Sequence, residues 1–157
     1  MSGQNTGRVF SCLTEFFSQG HTIGGDLREL KSIIDLVEDK ARVGVCLDTC
    51  HAMAAGYDLS SQDGFHRFLR EVEEFVGWEW LVGCHINDSM GPVGCHRDRH
   101  QNIGQGTIGL EGFRRIVNCP HFTDIPLILE TPMKDGINGY KEEIELLMSL
   151  IATNEKK

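Results

Sequence analysis

Three short apolar runs at nearly regular intervals constrain the fold of this chain more than any other feature. They are Val43 to Leu47, Leu81 to Ile86 and Pro126 to Leu129, and they begin 38 and 45 residues apart. Short continuous apolar runs bounded by polar or turn residues are typical of parallel strands buried on both faces. A weaker candidate, Arg8 to Leu13, precedes them. The sequence therefore predicts a parallel sheet of four strands.

Amphipathic helical patterns fall between and around these runs, and the first follows a cap-like pair formed by Asp26 and Glu29. Strand, loop and helix repeated at this period is the βα unit of an α/β protein. Four units are too few for a complete (β/α)₈ barrel, which takes eight strands and roughly 250 residues. The apolar stripes are Leu27, Leu30, Ile34 and Val37; Phe65, Phe68, Leu69, Val72 and Phe75; Leu110, Phe113, Ile116 and Val117; and Tyr140, Ile144, Leu147 and Ile151.

Composition excludes several classes of protein. With 157 residues, of which 40% are hydrophobic and 24% charged, the chain is expected to form one soluble globular domain. No apolar run approaches the roughly 20 residues that span a bilayer, and no secretion signal begins the sequence. We therefore expect an intracellular protein with no membrane partner. The net charge of −8 disfavours an unaided nucleic-acid binder, although bound divalent cations would change the local sign.

The six cysteines are expected to be reduced, because the sequence contains no C-x-x-C pair and no secretion signal. Cys50, Cys84 and Cys95 could in principle bind zinc. Cys46 and Cys84 lie inside strand-like runs, where a buried structural thiol is the commoner outcome.

Ionisable side chains follow the ends of the three strong strands and recur in the loop after the second. Any one of them alone is as well explained as a helix cap or a hydrogen-bonded loop residue. The carboxyl ends of neighbouring parallel strands meet at one rim, however, so we expect these side chains to converge there. The candidate ligands are Asp48, His51, His85, Asp98, His100 and Glu130. No ligand role is expected for His21, His66, His96 and His121.

The candidate ligands define a type of metal but not a reaction. Histidine and carboxylate ligands with few thiols suit zinc, with manganese or iron as alternatives. Two or more such ions can hold a phosphodiester and activate water against it. A sugar isomerase also needs an oxygen-and-nitrogen metal site, so the chemistry of the residues leaves both reactions open.

Four motifs in these regions resemble the endonuclease IV family of apurinic/apyrimidinic (AP) endonucleases. The motifs are long and stand in the family's order, which makes the resemblance specific, and it extends from about Gln19 to Leu150. They are Val43 to His51 with Ala54 to Asp58; His85-Ile86-Asn87-Asp88; Asp98-Arg99-His100 with Asn102-Ile103-Gly104; and Pro126 to Pro132.

This resemblance implies a TIM-barrel, zinc-dependent enzyme of DNA base excision repair. Such enzymes hydrolyse the phosphodiester bond 5′ to an abasic site in double-stranded DNA, and they use three zinc ions on the carboxyl rim of the barrel. By position, Asp48, His85 and Glu130 correspond to the ligands of one zinc. His51, Asp98 and His100 correspond to the ligands of another. Asp48, His51 and Glu130 are accordingly the residues expected to be catalytic.

The sequence also departs from this family, because no counterpart of the N-terminal half-barrel, with its two further histidine ligands, is recognisable. Glu15 is the candidate for the bridging glutamate of the family, although it stands one residue nearer to Gln19 than expected. We therefore expect a divergent segment over 1–18, the C-terminal half of the barrel over 19–152, and a polar tail over 153–157.

Two expectations and two alternatives follow from an incomplete barrel of this family. Its open strand edges predict self-association. Its role in repair predicts a location in the nucleus or mitochondrion of a eukaryote, or in the cytoplasm of a prokaryote. The alternatives are a truncated zinc-binding product without catalytic activity and a sugar-isomerase-like metal enzyme.

Overall fold

The computed structural model describes residues 11–14, 26–133 and 137–152. Glu15, His21 and the start of the first expected strand lie outside the described residues, as does the polar tail from Thr153. In chain order the elements are β1 (Ser11–Thr14), α1 (Leu27–Leu36), β2 (Val43–Asp48), α2 (Thr49–Ala55), α3 (Gln62–Phe75), β3 (Leu81–His85), β4 (Asp88–Ser89), β5 (His100–Gln101), α4 (Gly109–Val117), β6 (Leu127–Ile128) and α5 (Ile137–Leu150).

Four parallel strands in the order β1-β2-β3-β6 form the sheet that organises the chain. All residues of β2 are buried, as its continuous apolar run predicted. The register places Asp48 opposite His85 and Cys84 opposite Leu127. Across the described ranges the sheet stays open, with β1 and β6 at its edges. The predicted α/β class, an incomplete barrel of about four βα units, is confirmed.

The predicted apolar stripes of α1 and α3 form the buried faces of these two helices. Each helix begins at a side-chain cap. The carboxylate of Asp26 accepts a hydrogen bond from the backbone N–H of Arg28, and the hydroxyl of Ser61 accepts one from the N–H of Gly64. Such caps satisfy N–H groups that the first helical turn leaves without partners. The buried residues of the stripes are Leu27, Leu30, Ile34, Phe65, Phe68 and Val72.

Helix α2 and the hairpin of β4 and β5 were not predicted from the sequence. Helix α2 starts directly after β2, and its residues from Thr49 to Ala54 are all buried, so it shows no apolar stripe. Strands β4 and β5 form an antiparallel hairpin that pairs Ser89 with His100. Each of these strands is only two residues long, so its sequence cannot show the alternating pattern that identifies a strand.

The prediction that the run from Pro126 to Leu129 is buried on both faces is wrong. Leu127 is 37% exposed and Ile128 is 45% exposed. Successive strand residues point to opposite faces, so both faces of β6 are open. The reason is position: β6 is an edge of the sheet in the part of the chain that the structure describes.

The stripe predicted on α5 is also partly wrong. Leu147 is buried, but Ile144 and Ile151 are exposed, as is their neighbour Met148. These side chains and that of Leu127 in β6 line an open groove of about 520 Å³. Of the helices that the structure describes, α5 included, none has the length and apolar content to cross a membrane.

A fully buried carboxylate, Asp88, ties β4 to the turn before α4. It accepts hydrogen bonds from the backbone N–H groups of Ser89, Gly106 and Ile108. A Cβ atom on Gly106 would lie 2.3 Å from the carbonyl oxygen of Ser89 and 2.4 Å from Oδ1 of Asp88. This close approach of two backbone segments requires glycine.

We expect Gly106→Ala to lower the free energy of unfolding by about 2–3 kcal/mol, because relieving the overlap breaks buried hydrogen bonds of Asp88. The control variant for this substitution is Gly109→Ala. Gly109 has a φ of +68°, but a Cβ there would meet nothing within 4 Å, so backbone strain of about 1 kcal/mol is the expected cost. Urea unfolding followed by circular dichroism measures both losses. Equal losses would contradict the close approach at Gly106.

Candidate metal centre

The candidate ligands converge where β2, β3 and β6 reach their carboxyl ends. Asp48 and His85 end neighbouring strands in direct register, and Glu130 follows the end of β6. The β4–β5 hairpin carries His100 over the same rim, where it lies beside Asp98. The structure thus brings together all six described candidates, namely Asp48, His51, His85, Asp98, His100 and Glu130.

Asp48 joins the start of α2 to this cluster. Its Oδ1 accepts hydrogen bonds from two backbone N–H groups in the first turn of α2, at 2.8 and 3.1 Å. Its Oδ2 accepts one from the side-chain amide of Asn87 at 2.9 Å. The same oxygen lies 3.7 Å from Nδ1 of His85 and 3.8 Å from Nε2 of His100. One oxygen of this buried carboxylate therefore caps a helix, and the other faces the histidines.

One close group of potential ligands consists of Asp48, His85 and Glu130, whose ligand atoms lie within 4.8 Å of one another. Nδ1 of His85 is 3.0 Å from Oε2 of Glu130. The side chain of Glu130 is 46% exposed, so this group opens to solvent at the β6 edge. These are the three residues that the family resemblance assigns to one zinc.

A second region contains His51, Asp98 and His100. Asp98 bridges the two histidines, since its Oδ2 is 2.8 Å from Nε2 of His51 and its Oδ1 is 3.2 Å from Nε2 of His100. The close groups of three here are Asp48 with His51 and His100, and Cys50 with Asp98 and His100. The structure thus brings the expected set of His51, Asp98 and His100 together. Asp48 and Cys50 lie close enough to share in the same ligand groups.

Cys50 is a neutral thiol in the metal-free protein. Burial, reinforced by the nearby carboxylates of Asp48 and Asp98, raises the pKa of Cys50 to about 12. Its Sγ lies 3.6 Å from Oδ1 of Asp98, to which it donates a weak hydrogen bond. Cys84 and Cys95, the other thiols considered as zinc ligands, belong to none of the close groups among the described residues.

Opposite charges set the protonation of the cluster when no metal is bound. The carboxylate of Asp98 raises the pKa of His100 to about 9, and that of Asp48 raises the pKa of His85. Burial raises the pKa values of Asp48 and Asp98, but the adjacent histidines outweigh it, and both values end below the usual range. At neutral pH, His100 therefore holds a proton in a position that a metal ion could take.

The orientation of the histidine rings fits a metal ion. Nδ1 of His100 lies 3.1 Å from the carbonyl oxygen of Glu130, and an N–H donated there leaves Nε2 facing the carboxylates. Nε2 of His100 and Nδ1 of His85 are buried, and neither makes a well-directed hydrogen bond within the described part of the chain. Nitrogen and carboxylate oxygen atoms that converge in this way can share a cation, and this donor set suits zinc.

Asn87 holds two members of the cluster in place by hydrogen bonds, and it was not predicted as a functional residue. It is fully buried. Its side-chain amide donates to Asp48, its Oδ1 accepts the backbone N–H of Glu130 at 2.8 Å, and its own N–H donates to the hydroxyl of Thr49 at 2.8 Å. One side chain thereby sets the spacing of two potential ligands at the ends of separate strands. The signal available in the sequence was its place two residues after His85.

Glu143 on α5 was also missed. It is 8% exposed, and three donors surround its carboxylate. The amide of Asn102 and the hydroxyl of Thr131 donate to Oε1 at 2.7 and 2.8 Å, and the N–H of Ile103 donates to Oε2 at 2.8 Å. Glu143 thus ties α5 to the segments that follow His100 and Glu130.

The remaining histidines lie apart from the cluster or outside the described residues. His66, His96 and His121 belong to none of the close groups, and His121 stacks on Trp78 with ring centroids 4.1 Å apart. Glu15 and His21 fall outside the described ranges, so the bridging role of Glu15 stays a prediction.

A parallel βα sheet with ionisable side chains at its carboxyl rim is the arrangement found in TIM-type barrels, and three groups of these side chains could hold a metal ion. Residues 12–150 match the family model described as a xylose isomerase-like TIM barrel. The chain therefore belongs to this family.

Several proteins that are similar to this chain carry nuclease names. The chain is 48% identical over 145 residues to a probable endonuclease 4 of Chlorobium phaeovibrioides, a match that covers 92% of this chain and 51% of the relative. It is 41% identical to apurinic-apyrimidinic endonuclease 1 of Saccharomyces cerevisiae, and this match covers 88% of this chain and 37% of the yeast protein. The crystal structure of endonuclease IV from Thermus thermophilus superposes on this chain with a TM-score of 0.74 at 34% identity. The superposition covers 87% of this chain and 48% of the Thermus protein. The chain thus spans about half the length of its bacterial relative.

Proposed function

We propose that this chain provides part of the active site of an AP endonuclease, which hydrolyses the phosphodiester bond 5′ to an abasic site in double-stranded DNA. The observation that carries the proposal is the convergence of six histidine and carboxylate side chains at one rim. The names of relatives that are 41% and 48% identical support the same reaction. Action on cellular DNA would place the protein in the nucleus or mitochondrion of a eukaryote, or in prokaryotic cytoplasm.

The described residues divide into two ligand sets for zinc, with manganese or iron as alternative ions. Asp48, His85 and Glu130 would hold one ion, and His51, Asp98 and His100 would hold a second. Glu15 is the proposed contribution to a third. When bound, zinc supplies Lewis acidity that polarises a phosphate group and lowers the pKa of water.

The chain's own residues prepare this site in three ways, with Asp48, His51 and Glu130 proposed as its catalytic residues. The backbone N–H groups of α2 hold Oδ1 of Asp48, which directs Oδ2 to the rim. Asn87 fixes the distance between Asp48 and the backbone of Glu130. Glu130, which is half exposed, leaves the site open to a large substrate such as DNA.

Charge makes bound cations a requirement for DNA binding at this rim. The three carboxylates of the two sets would repel a phosphodiester, and the whole chain has a net charge of −8. His85 and His100, whose pKa values are raised, offset part of this negative charge when they are protonated. Divalent ions would add the positive charge that attracts the phosphate.

The proposal is tested with the purified chain, zinc and an end-labelled duplex that carries one abasic site. We expect incision 5′ to the lesion, a product with a 3′-hydroxyl that a polymerase extends, and loss of incision with a chelator. Glu130→Gln should abolish incision. The matched control is Glu142→Gln, an exposed glutamate on α5 that should leave incision unchanged.

A second candidate function is zinc binding without catalysis, since the ligand groups among the described residues account for two zinc sites. Zinc bound at two equivalents or fewer, with no incision at high protein concentration, would support it and would refute incision by this chain alone. Unchanged zinc content in His51→Ala and Glu130→Ala would refute the ligand assignment. Isomerisation of a xylose-like sugar, in place of DNA incision, would support the sugar-isomerase alternative.

Zinc binding is expected to release protons and to strengthen as the pH rises from 6 to about 9. The reason is that a ligand histidine must be neutral, whereas the pKa of His100 is raised to about 9 and that of His85 is raised as well. The stability of the metal-free fold depends on pH in the opposite direction. The raised pKa of His100 stabilises that fold fully below pH 6.5, and this contribution is lost as the pH rises through about 9.

Isothermal titration calorimetry in buffers of different ionisation enthalpy counts these protons. At pH 7 we expect the binding enthalpy to change with the buffer, corresponding to release of one proton or more per protein. A binding enthalpy that is the same in every buffer would contradict the proton-loaded cluster.

A further inference from the structure

Cys50 lies inside the cluster of ligands, but neither proposed zinc set uses it. Its side chain is fully buried in the first turn of α2, and its Sγ lies 3.6 Å from Oδ1 of Asp98. The same oxygen is 3.2 Å from Nε2 of His100. Ligand atoms of these three residues all lie within 4.8 Å of one another. One carboxylate oxygen therefore stands between a thiol sulfur and an imidazole nitrogen.

The distances at Oδ1 of Asp98 are close to those between ligands that share one ion. Ligand atoms about 2.0–2.3 Å from a tetrahedral ion lie about 3.3–3.8 Å apart. His51 instead approaches the other oxygen of this carboxylate, Oδ2, at 2.8 Å, which is the distance of a charge-assisted hydrogen bond. Asp98 thus offers one position between Cys50 and His100 and a separate position beside His51.

We propose that Cys50, Asp98 and His100 form a binding site for a soft divalent cation, of which cadmium is the representative. Soft thiolate ligands select such ions, whereas both proposed zinc sets consist of nitrogen and oxygen ligands. A thiolate and a carboxylate together balance the charge of the divalent ion, and the imidazole binds in its neutral form. The thiol proton passes to solvent as the sulfur binds the ion.

This cadmium site is accessible, and it competes with zinc. The side chains of His100 and Asp98 are 20% and 25% exposed, so an ion can reach the buried sulfur between them. Both residues also belong to the proposed zinc set with His51, and one ion at a time can use them. Cadmium would therefore exclude zinc from that set but not from the set with His85. The competition rests on the proposed zinc sets, whereas the cadmium site itself does not.

Titration of the purified chain with cadmium, followed by ultraviolet absorption, tests the proposal. A sulfur–cadmium bond gives a charge-transfer band that nitrogen and oxygen ligands do not give. Cys50→Ser should remove this band and weaken cadmium binding about 100-fold or more, because the soft ligand is lost. The matched control is Cys95→Ser, since Cys95 belongs to none of the close ligand groups of the described residues. His51→Ala should also keep the band, because His51 faces the other oxygen of Asp98.

Three results would overturn the proposal. The wild-type chain could show no sulfur band with excess cadmium, Cys50→Ser could keep the band at equal intensity, or His51→Ala could lose it as completely as Cys50→Ser. Circular dichroism verifies that the variants fold.

Cadmium NMR of the wild-type chain gives a measurement without substitution. A sulfur ligand shifts the resonance strongly to high frequency, and a resonance typical of nitrogen and oxygen ligands alone would also overturn the proposal. Release of zinc from the zinc-loaded chain tests the competition separately. If the sulfur band forms and no zinc leaves, the cadmium site is supported and the zinc set with His51 is wrong.

Discussion

Asp48→Ala is expected to weaken zinc binding by at least about 100-fold and to lower the free energy of unfolding by about 3 kcal/mol. Zinc binding falls because Asp48 belongs to one proposed ligand set and its carboxylate also lies within 4.8 Å of ligand atoms of His51 and His100 in the other. Stability falls because Oδ1 caps α2 and Oδ2 accepts the buried amide of Asn87. Competition with a chromophoric chelator measures the zinc affinity, and urea unfolding with a chelator present measures the stability.

Asp26→Ala is the matched control for this substitution. Asp26 also caps a helix through its carboxylate, but it belongs to none of the close ligand groups among the described residues and its side chain is 46% exposed. We expect a loss of about 1 kcal/mol in stability and no change in zinc affinity. If Asp48→Ala and Asp26→Ala behave alike in both measurements, Asp48 is a helix cap and not a ligand.

The sequence was sufficient to locate the candidate ligands, because parallel strands impose a simple geometry. A buried strand ends where its apolar run ends, and neighbouring parallel strands end at the same rim. Asp48 and His85 therefore had to lie side by side once both runs were recognised as strands, and the register agrees. The ligand roles themselves stay proposals, since neither spacing nor contact identifies a bound ion.

Other features could not be predicted because their signal lies in three dimensions. Asn87 and Glu143 are ordinary polar residues in the sequence, and all but one of their partners described above lie 38 to 43 residues away. Helix α2 is buried all round, so it lacks a stripe. The exposure of Leu127 and Ile128 was missed for a different reason. An apolar run has the same sequence whether or not another strand lies beside it.

Glu143→Ala is expected to lower the free energy of unfolding by about 4 kcal/mol, the largest loss of stability predicted for this chain. The substitution removes the carboxylate to which Asn102, Ile103 and Thr131 donate, and only the Asn102 amide keeps a further acceptor, the carbonyl oxygen of Pro132. It also loosens the two segments that follow His100 and Glu130. We therefore expect zinc affinity to fall by about 10-fold or more, as for other residues that support metal ligands.

Two further substitutions separate these contributions. Glu142→Ala removes the neighbouring glutamate on the exposed side of α5, and it should change stability by less than about 0.5 kcal/mol. Glu143→Gln keeps the volume and one acceptor oxygen but sets an amide N–H₂ against one of the donors, so its cost should fall between those of the two alanine variants. Urea unfolding ranks the three. If Glu143→Ala costs no more than Glu142→Ala, the buried carboxylate does not hold α5 to the rim.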